Sequence, residues 1–360
     1  MNDSYFFVVF IWFTLSLGSY SEWSNTGSMN YARAYHTSSM LTNGKILVVG
    51  AGKTDASDTA ELYDPLKGTW AVTGKMNFMR PFHAATILSN GKVLVLGGQD
   101  DDRNAMNSTE LYDPLTEKWT LTAKMNDARY RHAAILLPNG KVLVTGGLGF
   151  TGVLNTSELY DPMSDTWTRT GSMHDPRFVQ ALSLLTTGQV LVTGGAKTGL
   201  DICNSTESYD VNTGTWTIRQ HMNFRRGGHT ASVLHDGKVL VTGGSPNGGT
   251  SLETVELYNP LDNTWTTIDN MNQQRFFHTA TVLQNGQVLI AGGSANGRTS
   301  ENGSQIYDPI KQNWTSIDDM RSERFFHTAN LLANGSVLVA GGFSEEITPL
   351  QASELFIYSA

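Results

Sequence analysis

The sequence predicts an all-β fold, a seven-bladed β-propeller with four-stranded blades. Three observations carry that prediction. Seven methionines, Met29, Met76, Met125, Met173, Met222, Met271 and Met320, are 47, 49, 48, 49, 49 and 49 residues apart, and self-similarity at a fixed period marks a repeat architecture. Each unit places a turn dipeptide, Asn-Gly in most cases, between two short apolar runs, which reads as a β-hairpin with a two-residue type I′ turn. Each unit but the last then continues through an ELYDP-like strand to a tryptophan.

The sixth unit shows the elements in order. It opens MNQQRFFHTATVLQNGQVLIAGG from Met271 to Gly293. Strand a is the run beginning at His278, and strand b follows the turn at Asn285-Gly286. That turn has counterparts at Asn43-Gly44, Asn90-Gly91, Asn139-Gly140, Thr187-Gly188, Asp236-Gly237 and Asn334-Gly335. Strand c is QIYDP, ended by a proline that cannot donate to a ladder, and strand d starts at Trp314. Such a unit cannot bury itself alone, so like units pack side by side. Radial closure into a ring leaves only short edges. Seven units fill residues 22–360 with no room for a second domain.

The chain ends predict how the ring closes. Unit seven stops at Glu354–Tyr358 with no tryptophan after it, while Trp23 stands 47 residues ahead of Trp70. The N-terminal end therefore supplies the outer strand of the last blade. Residues 1–21 differ from all that follows. Phe6 to Gly18 is an almost unbroken apolar run, and Ser19 and Ser21 are small residues suitably spaced for signal-peptidase cleavage before Glu22. The run is short of the ~20 residues a membrane helix needs. The expectation is a secretory signal, with an uncleaved anchor as the alternative, and a secreted monomer with no membrane span after cleavage.

Composition excludes other classes. Lys and Arg number 25 against 33 Asp and Glu, a net charge of −8, with no long basic run, so nucleic acid is not an expected partner. Cys203 is alone and cannot form an intramolecular disulfide, so the fold rests on core packing. Sequons at Asn107, Asn155, Asn204, Asn302, Asn313 and Asn334 are compatible with a glycoprotein.

The repeated phrase, a Gly-Gly pair after an apolar strand, then E-x-Y-D/N, a turn and Trp, then M-x-x-x-R-x-x-H, resembles the kelch repeat of kelch-type β-propellers, including the propeller of the galactose oxidase superfamily. The resemblance covers residues 22–360 seven times over. It implies the propeller fold and leaves function open, because propellers host many functions.

Residues present in nearly every unit read as structural. His36, His83, His132, His229, His278 and His327, with Gln180 in the fourth unit, start the innermost strands. They invite a metal reading, yet hydrogen bonding of each strand start to a neighbouring loop explains their repetition. Arg33, Arg80, Arg129, Arg177, Arg226, Arg275 and Arg324 are expected to be partly buried and bonded to carboxylate or carbonyl oxygens, with Glu61, Glu110, Glu158, Glu207, Glu256, Gln305 and Glu354 in the opposite phase. Trp23, Trp70, Trp119, Trp167, Trp216, Trp265 and Trp314 are expected to form blade-to-blade core.

An enzyme is the alternative. Tyr35-His36 resembles the segment supplying a copper-ligand pair in galactose and glyoxal oxidases, which also need a Tyr crosslinked to Cys. Here Cys203 falls between strands b and c of unit four, and the segment matching the crosslinked Tyr has Val179 in its place. No cofactor is therefore expected. A sialidase-type hydrolase lacks a recognisable catalytic set, and Asp100, Asp101 and Asp102 have no EF-hand spacing for calcium.

Departure from repetition marks candidates for function. The d–a and b–c loops emerge on one face, the loop face, and are varied; the Asn-Gly and Asp-Pro turns occupy the other, the turn face. Tyr35, Phe82, Tyr130, Arg131, Arg225, Phe277 and Phe326 near the mouth, with Asp101 and Arg298 in b–c loops, are the expected ligand-binding set. Aromatic plates with Arg and Asp suit a protein or a glycan. The expectation is a non-catalytic extracellular binding module, with a copper oxidoreductase or a purely structural component as alternatives.

Overall fold

The computed structural model describes residues 20–52, 54–199 and 201–359. Residues 1–19 of the expected signal, 1–21, lie outside the described residues, whereas Tyr20 and Ser21, expected on the removed side of the cleavage point, pair with Ser359 and Tyr358 in a blade strand. Strand b is apolar in blades 1, 2, 6 and 7, as in Ile46–Val49, Val93–Leu96 and Val288–Ala291, and ends in Thr145, Thr193 and Thr242 in the other three; every residue of it is buried. β-branched and aliphatic side chains suit a strand covered on both sides. Each b strand sits in a four-stranded antiparallel sheet of order a-b-c-d, and there are seven such sheets.

Blade 1 comprises a (Thr37–Met40), b (Ile46–Val49), c (Ala60–Asp64) and d (Thr69–Val72). The innermost strands of blades 2 to 7 are Ala84–Ile87, Ala133–Leu136, Ala181–Leu184, Thr230–Val233, Thr279–Val282 and Thr328–Leu331. Each packs against its two neighbours, the last against the first, so the ring is closed. As the sequence predicts, blade 7 takes its outer strand from the N-terminal end. Tyr20–Asn25 pairs with Ser353–Ser359, and Trp23 faces Phe356.

The core lies between blades. One cluster joins Leu41, Leu47, Val49 and Leu62 of blade 1 to Val93, Val95 and Tyr112 of blade 2. The tryptophans divide: Trp23, Trp167 and Trp216 are buried, whereas Trp70, Trp119, Trp265 and Trp314 are half-buried. Strand d is outermost, so its ring lies against the preceding blade with one edge in solvent. Trp119 Nε1 donates to Gly74 O at 2.6 Å and Trp314 Nε1 to Asp269 O at 2.8 Å, each in the blade before.

The hairpin turn differs from expectation. Only the glycine has positive φ, Gly44 at 81° for example, and Gly44 N donates to Leu41 O while Leu41 N donates to Lys45 O. This is a three-residue loop with a type I turn and a left-handed glycine. Asn43 stays at negative φ, and its Oδ1 accepts the Lys45 N–H at 3.1 Å. Two small elements add to the prediction, a hairpin of Leu148–Gly149 with Gly152–Val153 and a 3-10 turn at Glu345–Ile347. No helix among the described residues is long and apolar enough to cross a membrane.

Candidate functional site

The site stands on a repeated ionic frame. In six blades the guanidinium of the loop entering strand a meets the glutamate of strand c, both side chains fully or almost fully buried. Arg33–Glu61, Arg177–Glu207, Arg226–Glu256 and Arg324–Glu354 lie at 2.7–2.8 Å, Arg80–Glu110 at 2.9 Å and Arg129–Glu158 at 3.0 Å. Nη1 of each arginine donates to the carbonyl of the first residue after strand b, Arg33 to Gly50 O and Arg324 to Gly341 O among them. Each glutamate also accepts main-chain N–H groups of the d–a loop, as Glu61 does from Asn30 and Tyr31. One pair thus fixes the approach to strand a. Blade 6 departs: Gln305 replaces glutamate, and Arg275 Nη2 donates to Gln273 Oε1 at 2.9 Å. Burial pushes the Arg275 guanidinium down to about 10, against Glu301 and Asp319.

The histidines precede strand a by one residue and are buried. His83 Nε2 pairs with Thr37 Oγ1 at 2.8 Å, His229 with Thr193 at 2.8 Å, His278 with Thr242 at 2.8 Å, His327 with Thr279 at 2.9 Å and His36 with Thr328 at 3.0 Å. Each contact crosses to the preceding blade, and Gln180 imitates it by donating to Thr145 O at 3.0 Å. Burial holds His36 and His229 down to about 3 and His83 to about 4, with the neighbouring arginines pulling the same way.

The residue before each of the six histidines, and before Gln180, is left-handed: Tyr35, Phe82, Arg131, Val179, Gly228, Phe277 and Phe326 have φ between 49° and 63°. Such a conformation costs a non-glycine residue about 1 kcal/mol or more. A main-chain belt over the channel holds it. Arg131 N donates to Phe82 O, Val179 N to Arg131 O, Gly228 N to Val179 O, Phe277 N to Gly228 O and Phe326 N to Phe277 O. Side chains of the belt meet above it. Tyr35 lies 4.6 Å from Phe82 and 4.2 Å from Phe326, Phe277 stacks on Phe326 at 3.8 Å, and the Arg131 guanidinium sits 4.5 Å from the Phe82 centroid. A Cβ at Gly228 would stand 2.5 Å from the Phe277 ring, so blade 5 yields its place to that ring. Burial pushes the Tyr35 hydroxyl up, opposed by Arg131, which keeps it a neutral donor.

On the loop face, two depressions flank this cluster and share Tyr35 and Arg131. One of about 650 Å³ also includes Phe82, Arg103, Tyr130 and Phe343. The other, about 670 Å³, includes Phe277, Asn296, Arg298 and Phe326. Beneath, a cavity of about 260 Å³ reaches His36, His83, His132 and His327. The structure thus brings together seven of the expected residues. Asp101 and Arg225 line neither depression; both are exposed, and Arg225 pairs with Asp201 at 3.5 Å. Sequence reasoning missed Ile202, Val179 and Ile347, which line the two hollows and carry no polar signal.

These residues do not fit a copper-radical centre. His36 spends Nε2 on Thr328, the Tyr35 ring is packed between Phe82 and Phe326, and Cys203 is buried in blade 4 with its thiol donating to Gly195 O at 3.3 Å. No three His, Cys, Asp or Glu side chains among the described residues converge to hold a metal ion. Asp100 is occupied by its own loop, accepting from Asn104 N at 2.8 Å.

Comparison with known proteins gives two matching family models: the KLHDC2/KLHL20/DRC7 Kelch-repeats domain over residues 36–244 and the Attractin/LZTR1 beta-propeller over residues 152–348. No curated protein matches. Among solved structures, the chain is similar to one described as a novel fungal alcohol oxidase with catalytic diversity among the AA5 family, in complex with copper. The two share 18% identity at a TM-score of 0.77, over 93% of this chain and 76% of that one. At that identity the likeness is one of fold.

Proposed function

Because the chain belongs to the kelch-repeat β-propeller family, we propose that it acts outside the cell as a non-catalytic binding module that holds a protein or a glycan on its loop face. The observation that carries this reading is the pair of depressions sharing Tyr35 and Arg131. Both open to solvent, and aromatic faces beside Arg103, Arg131, Arg298 and Asn296 suit stacking plus hydrogen bonding of a polar ligand. The belt of left-handed residues holds the cluster rigid, so little ordering cost is left for binding. The apolar run at Phe6–Gly18 and the small residues Ser19 and Ser21 are what support export in this reading.

A glycan array and a panel of extracellular proteins, probed with the protein recovered from culture medium, test the reading. The informative variant is Arg131→Ala with Arg298→Ala, because both side chains reach the surface and neither supports the core. Binding lost in this variant with an unchanged melting temperature supports a loop-face site. Binding that survives it, or a protein found only inside the producing cells, overturns the proposal.

A further inference from the structure

We infer that the turn face docks on a lipid bilayer through five aliphatic tips. Leu66, Leu115, Met163, Leu261 and Ile310 follow the proline of the c–d turn in blades 1, 2, 3, 5 and 6. They are 97, 93, 94, 88 and 90% exposed, more than any other large apolar side chain described. The fold does not require them, since blade 4 carries Asn212 at the same place. Single apolar side chains scattered on a surface are ordinary; these five recur at one position of the repeat and on one face.

The tips are held in position. The main-chain N–H of each is donated to the side-chain oxygen of the residue that opens the turn: Leu66 to Asp64 at 3.0 Å, Leu115 to Asp113 at 2.9 Å, Met163 to Asp161 at 2.9 Å, Leu261 to Asn259 at 3.1 Å and Ile310 to Asp308 at 3.0 Å. A satisfied N–H is what a group entering an apolar interface needs. Equivalent positions on successive blades share one plane. With strands about 4.8 Å apart, tips on neighbouring blades stand roughly 15–20 Å from one another. That spacing is too wide for two tips to enter one pocket of a protein partner, whereas a planar lipid interface meets all five together.

The path of the chain points to the same occupant. Strand d of blade 7 runs from Tyr20, paired with Ser359, to Asn25, paired with Glu354, so it begins on the turn face, where blade 7 would have its own c–d turn. The apolar run Phe6–Gly18 immediately precedes it. Whether that run is retained in a membrane or removed at one, it leads onto the face that bears the tips. The attraction is apolar rather than ionic. Most lysines on this face are paired locally, Lys92 with Asp113 at 3.0 Å, Lys141 with Asp161 at 3.2 Å and Lys238 with Asp236 at 3.0 Å, with Lys67 and Lys311 at longer range from Asp64 and Asp308; Lys45 and Lys118 have no ion pair among the described residues. Docking in this sense leaves the loop face pointing away from the bilayer, and it stands whatever that face binds.

The experiment uses the chain as recovered from its producing cells, with Leu115→Cys carrying an environment-sensitive fluorophore; native Cys203 is buried. Added phosphatidylcholine vesicles, with or without phosphatidylserine, are expected to shift the emission to the blue to the same extent. A label at Arg298→Cys on the loop face is expected to stay unshifted. Replacing Leu66, Met163, Leu261 and Ile310 by Ser is expected to raise the lipid concentration for half-maximal shift at position 115 at least tenfold, with the β-sheet circular dichroism unchanged. No shift at position 115 overturns the proposal, even if the protein sediments with vesicles, because tethering through residues 6–18 alone leaves the tips in water. A lipid-free dimer dissociated by Leu115→Glu also overturns it and assigns the tips to a second copy.

Discussion

Trp23 packs against Phe356 with ring centroids 5.2 Å apart, and the two residues pair across the junction between the N-terminal strand and the C-terminal strand. This contact closes the ring without a disulfide. Trp23 is 3% exposed, so Trp23→Ala is expected to cost about 3–5 kcal/mol. The half-buried Trp314 is expected to lose clearly less on the same change. Removing residues 20–28 bares the edge of Ser353–Ser359, and the product is expected to aggregate. Urea unfolding of the two point variants and light scattering of the truncation check this. Equal losses at Trp23 and Trp314, or a monomeric truncation, count against the latch.

Blade 6 supplies a natural experiment on the buried ion pairs. Arg275 manages without a carboxylate contact because Gln273 and the carbonyls of Gly292 and Gly303 accept its protons. Blade 5 has Phe224 at the position of Gln273, so Glu256→Gln leaves the Arg226 charge uncompensated and is expected to cost about 3 kcal/mol or more. Gln305→Glu restores the common pair and is expected to raise the melting temperature. Calorimetry of both variants decides. A harmless Glu256→Gln means that the carbonyl acceptors alone suffice.

Where the sequence is explicit, physical reasons can be named. The phase of the tryptophans predicts the blade 7 strand, because only closure accounts for a Trp at position 23 and none after Tyr358. Repetition of Arg and Glu in opposite phase predicts the buried pairs, because an unpaired buried charge is too costly to recur. The turn type is not readable, since Asn-Gly serves both a type I′ turn and the three-residue loop seen at Asn43-Gly44. Nor is the belt, because Tyr, Phe, Val and Arg have no left-handed preference. Sequence position draws Asp101 and Arg225 into the site, whereas the b–c and d–a loops carry them clear of both depressions.

Stability is expected to fall with acidification well above the carboxylate range. The buried histidines are held neutral, His36 and His229 at about 3 and His83 at about 4, while the unfolded chain protonates them near 6.5. Below pH ~6.5 the unfolded state binds more protons than the folded one, so unfolding becomes easier by about 1.4 kcal/mol per pH unit for each such histidine. The loss levels off only below the folded values. His229→Gln copies what blade 4 already carries at Gln180, and it is expected to reduce the slope of unfolding free energy between pH 7 and 5 by close to one proton. An unchanged slope places the proton uptake elsewhere.

Four of the six sequons within residues 22–360 belong to the blade rather than to the surface. The Nδ2 groups of Asn107, Asn155, Asn204 and Asn302 donate to Met125, Met173, Met222 and Met320 carbonyls at 3.1, 2.9, 2.7 and 3.1 Å, tying the start of strand c to the next d–a loop. The sequence motif arises there because the repeat places Ser or Thr two residues on. A glycan attached before folding takes one of the two Nδ2 hydrogens and puts a sugar against this half-buried junction, so chains modified there are expected to be retained rather than reach the medium. Asn313 and Asn334 are exposed, and the Oδ1 of Asn334 takes the Ser336 N–H at 3.1 Å without engaging Nδ2. When the protein passes through a glycosylating compartment, enzymatic deglycosylation in heavy-oxygen water is expected to label Asn313 and Asn334 alone. Label at Asn107 or Asn155 in folded, secreted protein would show that the blades tolerate a sugar at this junction.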